Sequence, residues 1–362
     1  MRRVLKAPRR RTGAGAPALL RRAAGVLALT SSLAPILAIT PPVSPATAAA
    51  EPAPSPEPSP TGRAPMTGSS IPPEERDTLL PKDWRSSADM LWTTSGDPTG
   101  LHLLVAEARS GYTWRTVTTL SEPGFDTDRW IGNVCLSGSG KRAVVVYAPR
   151  QFTNRERLFG RGAFAAVVDI ATGAVTKLPV TVSLAYYNPG CGTGETAVLT
   201  QSGLSDFGKT RLHVLDLSAK KIVRRHELTG QVTSAVPVGD RIVAAAGAGL
   251  VEVDREGRRR EVARTGGTPF ELHPDGDGGV AFLEARGDTT TAAMHLSGGT
   301  VREIAKGPLT EVGLTAGTGG RIFLTGRPED ARALPATWRR LEVPARAEVS
   351  THGVAMVAHH PV

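Results

Sequence analysis

Residues 203–210 read GLSDFGKT and match the phosphate-cradling pattern G-x-x-x-x-G-K-[ST] at every fixed position. In such a loop, backbone N–H groups wrap the phosphates while the lysine and the hydroxyl reach the terminal phosphate and its magnesium ion. The segment LHVLD, 212–216, supplies the apolar run ending in aspartate that often accompanies the loop. The chemistry needs a helix directly after the loop, because the helix N-terminus helps to hold the anion. Here the next segment, TRLHVLDLSAKK, aligns without gaps to FAAVVDIATGAV, in which Thr172-Gly173 forces a turn between two strands. Residues 203–210 are therefore expected to form a hairpin loop with Lys209 a solvated charge, and no nucleotide is expected.

Other chemistry is sparse. RWIGNVC and AYYNPGC each place aromatic residues and an asparagine shortly before a cysteine. Trp130, Asn133, Tyr186, Tyr187 and Asn188 are thus the candidate ligand-binding residues, since aromatic faces with amide donors suit carbohydrate or peptide recognition. The competing reading is packing between elements. HPDGDGG, 273–279, alternates oxygen ligands but shows no distal bidentate carboxylate, so it reads as a turn rather than a calcium loop. The eight histidines are scattered, with no paired zinc spacing, and no G-x-S-x-G elbow marks a serine nucleophile. No catalytic residue, metal or cofactor is assigned.

The elements that position these residues come from a repeat. KRAVVVYAPR, ETAVLTQSG, DRIVAAAG, GGVAFLEARG and GRIFLTGR begin their apolar runs at Ala143, Ala197, Ile242, Val280 and Ile322, at intervals of 54, 45, 38 and 42. A second set of strands follows each of the first four, with Asp169, Asp216 and Asp254 spaced by 47 and 38. Periods near 40–45 with several short strands per unit predict an all-β fold, a single β-propeller. The blades are expected at 86–124, 125–183, 184–230, 231–266, 267–307 and 308–348. Seven blades remain open if the 54-residue interval merges a weak repeat. The first blade lacks an innermost strand and THGVAMVAHH is left over, so a C-terminal strand is expected to close the ring. In register, Cys135 and Cys191 fall at equivalent places on adjacent blades, which suits a disulfide; two buried free thiols are the alternative.

Charge and composition bound the rest. The net charge is +9, yet residues 1–50 hold eight basic side chains and no acid, leaving +1 for residues 51–362. A nearly neutral body offers no electrostatic footprint for nucleic acid. Residues 1–50 have the layout of a signal peptide, with an apolar stretch at 23–39 and small residues that place cleavage after Ala48 or Ala50. An uncleaved anchor is the alternative; Pro35 and two serines weaken the run as a membrane span. Residues 51–83 are rich in proline and serine and read as a disordered tether, and 84–362 as the propeller.

CLSGSGKRAVVVYAPR, AVVDIATGAVTKL and HPDGDGGVAFL resemble blades of the WD-repeat-like and YVTN-type bacterial propellers. The region from Trp84 to about His352 also resembles the propeller of large secreted proteins of high-GC Gram-positive bacteria. The resemblance implies fold and brings no catalytic residues. In those relatives further extracellular domains come after the propeller, whereas this sequence stops at Val362. The expectation is a secreted, monomeric, non-catalytic binding module for an extracellular protein or glycan. The alternatives are a lactonase-, lyase- or glycosidase-type enzyme working at the channel, and a truncated remnant of a longer protein.

Overall fold

The computed structural model describes residues 71–185, 187–202, 208–309 and 311–340, and the backbone of 356–358. A 3-10 turn (Pro73–Glu75) and α1 (Arg76–Leu79) lead into β1 (Met90–Asp97), β2 (Gly100–Glu107) and β3 (Thr113–Leu120) of blade 1. Residues 71–83, assigned by composition to the tether, are bonded to the propeller. Asp77 Oδ1 accepts a hydrogen bond from Trp84 Nε1 at 3.0 Å, and Arg76 Nη2 donates to Thr113 Oγ1 at 3.3 Å.

Blade 2 comprises β4 (Trp130–Leu136), β5 (Arg142–Pro149), β6 (Phe164–Asp169) and β7 (Val175–Lys177), with α2 (Glu156–Arg161) between β5 and β6. Blade 3 is β8 (Gly190–Cys191), β9 (Thr196–Ser202), β10 (Lys209–Asp216) and β11 (Lys221–Thr229). Blade 4 is β12 (Val232–Val238), β13 (Arg241–Ala246), β14 (Gly249–Val253) and β15 (Arg259–Arg264). Blade 5 is β16 (Thr268–Pro274), β17 (Val280–Arg286), β18 (Thr290–Ser297) and β19 (Thr300–Pro308).

Blade 6 is built differently. It has β20 (Val312–Ala316) and β21 (Ile322–Gly326). The chain then sends β22 (Asp330–Ala331) back to the edge of β19 and returns as β23 (Trp338–Arg340), parallel to β21. Finally β24 (Met356–Ala358) pairs antiparallel with β1, Leu91 opposite Val357, and completes blade 1 from inside. The structure is thus a six-bladed β-propeller with the expected closing strand; blades 1 to 5 lie close to the expected boundaries, whereas blade 6 is described only to Arg340 and gives β22 to the edge of blade 5.

Burial explains why these sequences make these strands. Second strands are apolar at successive positions because both faces meet a neighbouring blade: β5, β9 and β13 bury four to seven residues in a row. Outermost strands return to strand alternation or are mostly exposed, as β11 and β15 show. Asp169, Asp216 and Asp254 close the hairpins between third and fourth strands. Their carboxylates accept the N–H of Thr172, Ala219 and Glu256 at 3.0, 2.9 and 3.0 Å. The alignment behind the hairpin reading survives in the backbone: Gly173 and Lys220, its counterpart, both take left-handed φ, 73° and 52°.

The GKT motif accordingly ends in a strand. Ser202 of β9 pairs with Thr210 of β10, so antiparallel strands flank the loop, whose residues 203–207 lie outside the described residues. Lys209 Nζ lies 3.2 Å from Glu227 Oε1 on β11.

Cys135 and Cys191 are bridged, with Cα atoms 5.7 Å apart, and join the inner strands of blades 2 and 3. The expectation of equivalent positions needs correction by one residue. Ala143 and Ala197 occupy the same place in their blades, facing Val168 and Leu215, yet Ala143 pairs with Leu136 whereas Ala197 pairs with Cys191. Side chains alternate sides along a strand, and two facing blades present opposite sides to each other. Equivalent positions would point the same way around the ring. An odd offset is what lets Cys135 and Cys191 meet in the shared core with Val144, Val146 and Leu199.

The packing has two measurable consequences. Replacing both cysteines with serine opens a crosslink of sequence separation 56 and is expected to cost about 4 kcal/mol. In a thermal scan under oxidising conditions that is a drop on the order of 10 °C. The second consequence concerns Asp275, which is buried and accepts from His295 Nε2 at 2.6 Å and from the N–H of Asp277 and Gly279 at 3.0 and 2.7 Å. Burial works to raise its carboxyl, but these bonds outweigh it and hold the pKa below the ordinary carboxylate value. The stability it contributes is therefore full above about pH 4 and is lost as pH falls through the lower folded value. Urea midpoints measured against pH should show this acid-sensitive share, and Asp275→Asn should remove it.

Candidate functional site

A central cavity of about 100 Å³ is lined by the inner strands and adjoining loops of blades 2 to 6 and by Trp92 of β1. At one end the inner hairpins are drawn together by backbone hydrogen bonds. Gly138 N–H donates to Gly194 O at 2.8 Å, Gly319 N–H to Gly138 O at 3.0 Å and Gly276 N–H to Gly320 O at 3.0 Å. A Cβ on Gly138 would lie 1.8 Å from Thr193 O, so a side chain there would push these loops apart.

The sequence-derived candidates divide. Asn133 and Tyr187 line the cavity. Asn133 Nδ2 donates to Ala185 O at 2.7 Å, tying blade 2 to the loop that carries Tyr187. The Tyr187 ring packs on Phe270 of blade 5 with centroids 5.3 Å apart. Asn188 is adjacent but buried, and its amide serves the fold: Nδ2 donates to Ser183 O at 2.7 Å and Oδ1 accepts from Thr200 N–H at 3.0 Å.

Trp130 is not brought to this group. It is buried between blades 1 and 2 with Trp92, Tyr147 and Leu136, its ring edge-on to Phe125. It stands three positions before Asn133 on one strand, so the two face opposite sides. Tyr186 lies outside the described residues.

Two groups that sequence reasoning passed over stand out. Glu271 and His273 of β16 both line the cavity, with Glu271 Oε1 3.7 Å from His273 Nε2, too far for a direct hydrogen bond. The His273 Nε2 is buried and has no hydrogen-bond partner among the described residues. Glu271 carries φ 52°, a conformation unfavourable to a side chain, inside a β-bulge between Phe270 and His273. The bulge flips the strand's parity: Phe270 packs toward blade 6, Leu272 toward blade 4, and Glu271 faces the cavity.

Blade 4 holds this arrangement in place. Its inner strand β12 is bulged too, between Val232 and Ser234. Ser234 Oγ accepts the Leu272 N–H at 3.1 Å and Thr233 Oγ1 donates to Pro269 O at 2.9 Å. The only trace in the sequence is Glu-x-His ahead of the hairpin HPDGDGG. Nothing in it announces a bulge, since glutamate is not a residue that favours φ > 0.

Elsewhere, Asp275 of that hairpin spends its oxygens on His295 and on turn N–H groups. A second cavity, of about 350 Å³ between blades 4 and 5, holds Arg241 and Arg260, both paired to Glu252 at 3.0 and 3.2 Å.

No protein-family model matches the chain, and no curated protein matches it. Solved structures with a similar fold include TolB from Acinetobacter baumannii, at 15% identity and a TM-score of 0.46, covering 69% of this chain and 60% of that one. The β-propeller domain of the Trilobed protease from Pyrococcus furiosus is 12% identical with a TM-score of 0.43, covering 66% of this chain and 75% of that one. This chain thus spans 60% of the TolB chain. Likenesses of this size say nothing of what the chain binds.

Relief of the strain at Glu271 should be measurable. Glu271→Gly removes a left-handed side chain, a gain partly offset by glycine's greater unfolded entropy, for a net stabilisation of about 1 kcal/mol. Chemical denaturation of the two proteins checks it. Isosteric Glu271→Gln keeps the backbone strain, so any gain it shows reports the unpaired carboxylate alone.

Proposed function

We propose that the protein is an exported binding module, with no catalytic role, that takes its ligand at the channel mouth. The observation that carries this reading is the cavity's lining: Gly190, Gly192, Gly317, Thr193, Asn133 and the half-buried Tyr187. Backbone, amide and aromatic surfaces of this kind recognise shape and hydrogen-bonding groups. A propeller hydrolase would gather more carboxylates and imidazoles on the axis than the single pair, Glu271 and His273, that lines this cavity. Among the described residues no group of three His, Cys, Asp or Glu side chains is placed to hold a metal. The resemblance to propellers of secreted proteins and the basic, then apolar leader support export of this module.

Two measurements test the reading. Protein recovered from the culture medium of its host should begin at Ala49 or Glu51 by intact mass. A protein confined to cells with its leader intact contradicts export. Immobilised protein should retain, saturably, a component of the host's envelope or culture fluid. Tyr187→Ala should weaken that retention by about fivefold or more, as expected for an aromatic anchor, while the protein still unfolds cooperatively. Retention unaffected by the substitution moves the docking site away from the channel mouth, and turnover of a retained substrate moves the protein to the enzymes.

A further inference from the structure

Glu271 is the only charged side chain in the described lining of the cavity, setting aside the titratable His273. Its own side chain is 23% exposed, and among the described residues no arginine or lysine pairs with it. An acid held half out of water without a basic partner is costly, and pairing with a cation offsets that cost. Next to it, His273 Nε2 is buried and leaves its hydrogen-bonding capacity unused. Both groups border one small space, both sit on a strand bent by a bulge, and the bulge is pinned from blade 4 through Ser234 and Thr233. A strained backbone that turns a lone carboxylate toward the axis, rather than toward solvent, is a feature that packing alone does not require.

Resting on the channel-mouth reading above, we infer that Glu271 and His273 form a receptor for one primary ammonium group, the lysine side chain of a partner protein inserted along the axis. Three observations fix that choice. One carboxylate balances one positive charge. Two protein donors fall short of the three or four a zinc centre uses, and the described residues supply no third. A carboxylate oxygen and an imidazole nitrogen 3.7 Å apart suit the compact, rotatable donors of an ammonium on a flexible stem better than the rigid guanidinium fork. The stem would pass the ring of Tyr187, which lines the same cavity.

The test uses the full chain and n-butylammonium chloride, monitored by calorimetry or ligand-observed NMR, with n-butanol and zinc chloride as parallel probes. The expected result is saturable 1:1 binding of n-butylammonium. The same measurement should show binding about tenfold or more weaker for n-butanol and a comparable loss in Glu271→Gln. Because Glu271→Gln keeps the side chain's shape, its unfolding curve serves as the control for folding. His273→Gln should weaken binding less, since it removes an acceptor and not a charge. Equal binding of n-butanol, or n-butylammonium binding untouched by Glu271→Gln, overturns the inference. Zinc binding that needs both Glu271 and His273 and displaces n-butylammonium also overturns it, in favour of a metal site. A partner whose retention falls in Tyr187→Ala but survives Glu271→Gln removes this inference alone. Retention that survives both substitutions removes the channel-mouth reading as well.

Discussion

Six twisted sheets that share one axis must pack face against face, and their inner strands must crowd where the blades converge. The rest of the structure depends on that constraint. It buries each second strand on both sides, which is why Val144 to Ala148 are apolar without a break. It forces glycine where backbones meet: a Cβ on Gly190 would lie 2.0 Å from Ala235 O of the next blade. It also decides how a disulfide can join neighbours, since facing blades show each other opposite sides and the two cysteines must be offset by an odd number of residues. The ring is finished by backbone pairing of β24 with β1 rather than by a covalent link.

Crowding at the axis leaves little room, and glycine hairpins are drawn together at one end of what remains. Within it, two adjacent inner strands depart from regular pairing, and each bulge supports the other through a hydroxyl. The result is a carboxylate and an imidazole nitrogen facing the axis in a conformation the backbone resists. The buried Asp275–His295 pair, two residues beyond His273, is its structural counterpart: there both Asp275 oxygens are satisfied, and the pair braces the hairpin below the channel.

Much of the fold was legible in the sequence because blades leave periodic traces. Turn aspartates at 169, 216 and 254, apolar runs ending at glycine, and a leftover C-terminal strand were enough to place six sheets. The same logic turned GLSDFGKT from a phosphate loop into a hairpin. The candidate site was less legible. Asn133 and Tyr187 were found because amides and aromatics near a cysteine are conspicuous. Trp130 was grouped with them by proximity in sequence, although its odd spacing from Asn133 already separates the two faces of a strand. Glu271 escaped because a bulge is decided by neighbouring strands: its support comes from Thr233 and Ser234, nearly forty residues earlier in the chain.

The measurement that tests this account most directly is a crystal structure of the protein grown with n-butylammonium, read at residues 268–274. The account predicts the bulge, a left-handed Glu271, and a nitrogen within hydrogen-bonding distance of both the Glu271 carboxylate and His273 Nε2. Regular pairing of β16 with β17, with Glu271 turned away from an empty channel, would contradict it.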